Sequence, residues 1–542
     1  MTQDNMENFD KRIKLGPLAS VFQHRVNMRV QTVLVLALVS LVNGYKILAL
    51  FPYTGKSHFD TFRPLLQELH AKGHQLTVLT HFPFGNSTSN ITSIPLRNPF
   101  NLPSTGVVDL ELLLNYPVLQ GTLPVALVIY AMYLCEQVQT QTKVREFINS
   151  EQSYDLVIAE FFVDYCLMGL AEKFRAPLVG VSSSMPLPYL DKYIGYQNTP
   201  SYIPNMFLPF SNQMSFMERV HNSVHYVFTH AFYNVLTPLY YNRLTRNNIG
   251  RNLSSVEEIH SNTSIMLVNT HFSLTWPRPL PPGFIEVSGL HITKWKRPPM
   301  HIDKWINESK HGVIYFSLGS MIKGHTFPDD KKQMFINAFG RLPQRVLWKW
   351  ENETMPGKTD NIMIEKWMPQ FDILCHPNVK AFIAHGGMLG VTEAVHCGVP
   401  MIIMPQFGDQ FTNAKAVEAS GGGTILDYRY LDEESIYNAL TTALDPKSNK
   451  KAKELSARFK DRPLPPLETS IYWIEYVARH GGAPHLRTAA VGMPLYQYLL
   501  LDVIAFLVVI LFSFLFVVYY ISRAILRKLC RRKQSSQKKK KH

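Results

Sequence analysis

Residues 384–410 read AHGGMLGVTEAVHCGVPMIIMPQFGDQ, and this stretch decides the fold. A run with strand character, VKAFIA, leads into His385, and two glycines follow at once. A helix is expected from about Met388, carrying one acid, Glu393. A second apolar run, PMIIM, closes on Asp409 and Gln410. Strand, glycine turn, helix and strand in this order make a βαβ unit, the building block of a parallel sheet with helices on its faces.

The same rhythm extends in both directions. Upstream, GVIYFSLGS, RVLWKWE and NIMIEKW read as strands, and GGTILD follows downstream. An earlier series, YKILALFP, HQLTVLTHF, DLVIAEFF, APLVGVSS and SIMLVNTHF, repeats the pattern. Between the first two of these, Phe59, Phe62, Leu65, Leu66 and Leu69 form a helical apolar stripe ended by Gly73. A proline- and charge-rich break, SGLHITKWKRPPMHIDKW at 288–305, separates the two series. Two α/β domains are therefore expected, at 45–290 and 295–470, and no fixed-period repeat is visible. Residues 185–260, rich in aromatics and asparagine, are expected to form loops and helices along a substrate wall.

Two apolar segments speak for a membrane. Residues 28–44, MRVQTVLVLALVSLVNG, have the make-up of a signal peptide. The polar residues 1–27 ahead of it then read as an upstream extension before a natural start at Met28. Residues 503–521 are uncharged and about long enough to cross a bilayer, with Tyr496 and Tyr498 at one edge and Tyr519 and Tyr520 at the other. A connecting helix and membrane-proximal segment at 471–502 lead to it, and a basic tail, 522–542, follows. From Arg523 to Lys541 that tail holds ten Lys and Arg and no acid. Most of the net charge of +14 sits there, so the body is near balance and nucleic acid is not an expected partner. The positive-inside bias makes the tail cytosolic and the body lumenal. Lys539 and Lys540 match a dilysine endoplasmic-reticulum retrieval signal, and sequons at Asn86, Asn90, Asn252, Asn262, Asn307 and Asn352 agree with a lumenal body. The five cysteines show neither C-x-x-C nor metal spacing, so neither zinc nor a disulfide framework is expected.

Ligands of open parallel sheets bind beyond the carboxyl ends of the strands. In the second domain those ends carry Ser320, then Trp367 and Gln370, then His385-Gly386-Gly387, then Asp409 and Gln410. Glycines let the backbone approach a ligand, and the helix near Met388 offers its positive end to an anion. His385 can donate to a phosphate oxygen, Trp367 can stack a base, and Gln370 and Glu393 can bind ribose hydroxyls. Asp409 and Gln410 suit sugar hydroxyls. Together these point to a nucleoside diphosphate sugar. No G-x-G-x-x-G supports NAD, and GKSH at 55–58 lacks the spacing of a phosphate-binding P-loop.

The stretch WMPQFDILCHPNVKAFIAHGGMLGVTEAVHCGVPMIIMPQFGDQFTNA, Trp367 to Ala414, resembles the signature of the UDP-glycosyltransferases. YFSLGSM and the segment from Pro466 towards the membrane extend the resemblance over the whole body, and the pattern looks most like the insect members. The resemblance implies a GT-B fold, two Rossmann-like domains facing a cleft plus one C-terminal transmembrane helix, with the acceptor in the first domain and the UDP-sugar in the second. It implies that Trp367 stacks uracil and that Gln370 and Glu393 hold ribose. Ser320, His385 and the 386–390 turn, including Gly387 and Gly390, would hold the diphosphate, and Asp409 and Gln410 the sugar. Leu389 departs from the Asn of many members, which removes a side-chain phosphate contact. His58, in FPYTGKSHFDTF, takes the place of the family's catalytic base. Its orienting acid is expected to be Asp164, with Glu160 as the alternative. With no D-x-D motif, no metal is expected, and the UDP-sugar is a co-substrate rather than a cofactor.

The expected function is inverting transfer of a sugar, by resemblance glucose, to a small lipophilic acceptor in detoxification or clearance at the endoplasmic-reticulum membrane. A ceramide-type lipid glycosyltransferase and a catalytically silent hydrophobic-ligand binder are the alternatives. Glucuronate or galactose as donor sugar, the acceptor's identity and a homo- or hetero-oligomeric state are left open by the residues.

Overall fold

The computed structural model describes residues 44–85, 90–99, 105–106, 108–110, 117–163 and 165–539. The expected signal segment, except Gly44, and the upstream extension lie outside the described residues, as does Asn86.

The first sheet holds β1 (Lys46–Phe51), β2 (Gln75–Thr80), β3 (Ile91–Pro95), β4 (Leu156–Glu160), β5 (Leu178–Ser182), β6 (Thr263–Val268) and β7 (Phe284–Glu286). Its order is β3-β2-β1-β4-β5-β6-β7 with every pair parallel. The second sheet holds β8 (Val313–Ser317), β9 (Arg345–Lys349), β10 (Ile362–Glu365), β11 (Val379–Ala384), β12 (Met401–Ile403) and β13 (Gly423–Ile425). Its order is β10-β9-β8-β11-β12-β13, again parallel throughout. Each sheet thus reverses its winding once, between β1 and β4 and between β8 and β11. A crevice opens at such a switch because the flanking loops leave in opposite directions.

Strand alternation sorts the core. Leu48 and Leu50 point to one face of the first sheet, and Ile47, Ala49 and Phe51 to the other. In the second sheet Ile314 and Phe316 divide from Val313 and Tyr315 in the same way. Runs apolar on both faces are what a sheet covered by helices requires. The two strands that no apolar run announces, β3 and β7, are the edges of the first sheet. β3 reads ITSIP and β7 has only three residues, so neither buries enough to mark itself.

The helices that position the site are α1 (Lys56–Ala71), α2 (Pro117–Thr140), α3 (Gln370–Leu374), α4 (Met388–Cys397) and α5 (Gln410–Ser420). Next come α6 (Pro446–Lys460), α7 (Pro466–His480) and α8 (Leu501–Lys539). α1 buries the expected stripe of Phe59, Phe62, Leu65, Leu66 and Leu69. The two longest helices in the expected wall near 185–260 are Phe216–Ala231 and Thr237–Asn248, joined by a π-helical turn. α7 does more than lead towards the membrane. It crosses back and buries Ile471, Ile474 and Val477 against the first sheet. In exchange, Leu110 of the first domain enters the core of the second, and the amides of Gly106 and Val108 donate to the carbonyls of Ser320 (2.7 Å) and Met321 (2.9 Å). α8 is long and apolar enough to cross a membrane, with none of its apolar span buried against the protein.

Against the expectation of no disulfide framework, four of the five cysteines pair. Cys135 in α2 pairs with Cys166, and Cys375 pairs with Cys397, with Cα atoms 5.5 and 4.8 Å apart. Sequence separations of 31 and 22 conceal both pairs, because only the packing of helix against loop brings the sulfurs together. Cys530 is free and exposed.

Candidate active site

The loops at the second switch point meet around His385. Residue Ser317 at the end of β8 is in register with Ala384 of β11, so Gly319 and His385 leave the sheet side by side. A Cβ on Gly319 would lie 2.4 Å from Cε1 of His385, and one on Gly387 would lie 2.4 Å from its Nε2. The ring is clasped where only glycines leave room. Burial, reinforced by the Lys349 charge, pushes the His385 pKa down to about 4, so the imidazole is neutral near pH 7. Its Nδ1 is buried without a partner. No side chain caps the N-terminus of α4, whose first-turn amides follow Gly387. A neutral donor and a bare helix end side by side are suited to holding an anion.

These groups border a cavity of about 430 Å³ that also takes in Ser320, Trp367, Gln370, Gly387, Gly390 and Glu393. Trp367 leaves 58% of its surface open, and the ammonium groups of Lys56 and Lys349 lie 5.9 and 6.0 Å from its ring centre. An indole so exposed at a cavity rim offers a face for stacking. Gln370, at the start of α3, donates from Nε2 to Oε2 of Glu393 at 2.6 Å. Burial pushes the Glu393 pKa up to about 7; the Gln370 amide opposes the shift and Asp372 adds to it.

A second cavity of about 230 Å³ adjoins the first, sharing Ser57, Met321, His385, Gly387, Met388 and Leu389. It holds His58, Asp409 and Gln410. Burial raises the Asp409 carboxyl; the Asn413 amide, 2.9 Å from Oδ2, and His58 counter it. Gln410 has one end of its side chain already engaged. Its side-chain carbonyl accepts from the backbone of Gln406 (2.8 Å) and Phe407 (3.2 Å), so only its NH₂ is left for a ligand.

His58 lies in the first turn of α1, after β1, and Glu160 ends β4, the neighbour across the first switch point. His58 Nδ1 is 2.7 Å from Oε1 of Glu160, whose side chain is 2% exposed. The hydroxyl of Ser183 donates to the same oxygen at 3.1 Å and lies 2.8 Å from Nδ1. The Nδ1–H tautomer satisfies this arrangement and leaves Nε2 as the free base. Tyr53 and Phe162 flank the ring at 4.7 and 4.4 Å between centres. Glu160, the alternative in the sequence reading, is thus the acid on His58. The favoured Asp164 lies outside the described residues. Glu160 is the last strand residue, paired with Val181, and the strand fixes its direction.

Two groups escaped the sequence reading. Ser183 follows β5 in a run of three serines, with nothing to single it out. Lys349 ends β9, lines the larger cavity and lies 2.5 Å from Oε1 of Glu351. The rule that flagged the other strand ends would have found it.

The two switched sheets facing one cleft define a GT-B glycosyltransferase architecture. Residues 116–539 match the family described as UDP-glucoronosyl and UDP-glucosyl transferase. UDP-glycosyltransferase UGT5 of Dactylopius coccus is 43% identical over 501 residues, spanning 91% of this chain and 94% of that one. UDP-glucuronosyltransferase 1A8 of Homo sapiens is 36% identical over 388 residues, 71% of this chain and 72% of that one. Among solved structures, UGT71G1 of Medicago truncatula complexed with UDP-glucose superposes with a TM-score of 0.55 at 18% identity, covering 81% of this chain and all of that one. The chain belongs to the UDP-glycosyltransferase family, enzymes that transfer a sugar from a UDP-sugar.

Proposed function

We propose that the protein transfers glucose from UDP-glucose to a hydroxyl of a small lipophilic acceptor, with inversion at the anomeric carbon. The observation that carries this reading is the continuity of the two cavities through His385, with His58 Nε2 on the acceptor side and the anion site on the donor side. The acceptor hydroxyl gives its proton to Nε2 as its oxygen attacks C1. The bond from C1 to the phosphate oxygen breaks and UDP leaves with the electron pair. Glu160 holds the imidazolium as it forms, and the α4 amides and His385 stabilise the leaving diphosphate. Attack opposite the leaving group turns an α-linked donor into a β-glycoside. In this reading Trp367 stacks uracil, Gln370 and Glu393 hold ribose, Ser320 and Gly390 border the diphosphate, and Asp409 with the Gln410 NH₂ binds the sugar.

Glucose is favoured over glucuronate because no Lys or Arg is among the described residues lining the second cavity to pair with a sugar carboxylate. A relative named UDP-glucosyltransferase 2 of Dactylopius coccus, 38% identical over 501 residues, supports the same donor. The aromatic and methionine lining of Tyr53, Phe162, Met206 and Phe207 suits a lipophilic acceptor. We place the body in the endoplasmic-reticulum lumen, with α8 crossing the membrane and the basic tail cytosolic. Two disulfides are at home in that oxidising compartment. The direct test is UDP release by the membrane-expressed protein with UDP-glucose, UDP-glucuronate or UDP-galactose and a simple phenol. Turnover with UDP-glucose that His58→Ala abolishes is expected. Faster turnover with UDP-glucuronate would overturn the donor, and turnover surviving in His58→Ala would overturn the mechanism.

A further inference from the structure

His291 has no part in the machinery described so far. It sits in the segment that leaves β7 for the second domain, yet it borders the larger cavity of the second domain. Its side chain is 7% exposed, and neither ring nitrogen has a hydrogen-bond partner. Burial pushes its pKa down to about 4, with the nearby Leu389 carbonyl pulling the other way, so the ring is neutral near pH 7 and has one N–H to give. A buried imidazole with both nitrogens unmatched is unfavourable unless something that binds there completes it.

The neighbouring geometry says what would. Nε2 of His291 is 3.7 Å from Oε1 of Glu393, too far for a hydrogen bond. The other carboxylate oxygen, Oε2, already accepts from Gln370. Oε1 and Nε2 are thus an unfilled acceptor and donor facing the same space. A hydroxyl set beside them can donate to the carboxylate and accept from the imidazole at once.

We propose that His291 is a nucleotide-binding residue whose Nε2–H donates to a ribose hydroxyl that itself donates to Oε1 of Glu393. This rests on the cavity being the UDP-sugar site. Because His291 belongs to the connection between the sheets, a bound ribose ties that connection to α4, and the site selects ribonucleotides over deoxyribonucleotides.

The test is calorimetric binding of UDP, 2′-deoxy-UDP and 3′-deoxy-UDP to the full-length protein in detergent. Wild type, His291→Phe and His291→Gln are compared. Phe keeps a ring of similar size and removes both nitrogens, whereas Gln retains a donor. Wild type is expected to bind UDP about tenfold more tightly than one of the deoxy analogues. His291→Phe is expected to weaken UDP about fivefold and to shrink that gap by a similar factor, since the two changes remove one shared interaction. His291→Gln is expected to restore much of the gap. If His291→Phe weakens UDP and both analogues equally, or leaves UDP binding unchanged, the inference falls while the site reading stands. Failure of wild type to bind UDP overturns the site reading and the inference with it. Should the Phe variant not accumulate, His291→Ala carries the same comparison.

Discussion

Glu160 and Ser183 meet His58 at one ring nitrogen, and that geometry sets what each contributes. Glu160→Gln keeps the shape and removes the charge that favours an imidazolium. The expected outcome is a fall in kcat of about a hundredfold or more with the dissociation constant for UDP-glucose unchanged. Unaltered kcat in steady-state kinetics would remove Glu160 from the reaction. Glu393 makes a second prediction. Its carboxyl is raised from 4.5 to about 7, so the folded state favours the protonated form. Stability therefore falls as pH climbs from about 4.5 through about 7, then levels off. Ribose hydroxyls that donate to the carboxylate favour the ionised form. UDP-glucose, whose diphosphate does not titrate there, should bind about tenfold more tightly at about pH 8 than at about pH 6. Glu393→Gln should flatten the dependence; a slope that persists in the variant assigns it to another group.

Among elements, the glycine turn before α4 and the disulfide at its end act on the same helix. Gly387 has an ordinary backbone conformation (φ −64°), so Gly387→Ala tests space alone. Its methyl would press on His385 Nε2. The expected result is a rise of about tenfold in KM for UDP-glucose with a modest drop in Tm, since a shifted ring takes the anion site with it. An unchanged KM would show that His385 need not hold its place. At the other end, Cys375 follows α3 and Cys397 ends α4, so the bridge ties the helix of Gln370 to the helix of Glu393. Replacing both cysteines by serine should cost about 3 kcal/mol in chemical denaturation and weaken UDP binding. A loss of stability with full UDP affinity would confine the bridge to a structural role. Neither effect was visible in the sequence, which marks His385, Gln370 and Glu393 by type but says nothing of the clasp or the bridge between their helices.

The whole molecule is two doubly wound sheets laced together by α7 in one direction and Leu110 in the other, with α8 standing free of both. The proposed lumenal body on a membrane helix makes a further prediction. The full-length protein should stay with membranes through an alkaline carbonate wash and should gain mobility on gels after endoglycosidase H. Release by the wash removes the membrane helix; an unchanged mobility removes the lumenal body. The sequence by itself determined the two parallel-sheet halves, the family, the apolar span and most of the loops that line the larger cavity. These depend on runs of apolar residues and on loops that directly follow strands, and such features are local along the chain. Tertiary structure alone decided which acid meets His58, which cysteines pair, that Gln410 turns its carbonyl inward and that His291 lies beside Glu393. The His58, cysteine and His291 cases join residues far apart in sequence, fixed by strand register and helix packing, while Gln410 turns back on Gln406 and Phe407 in the loop before α5; no residue pattern encodes any of them.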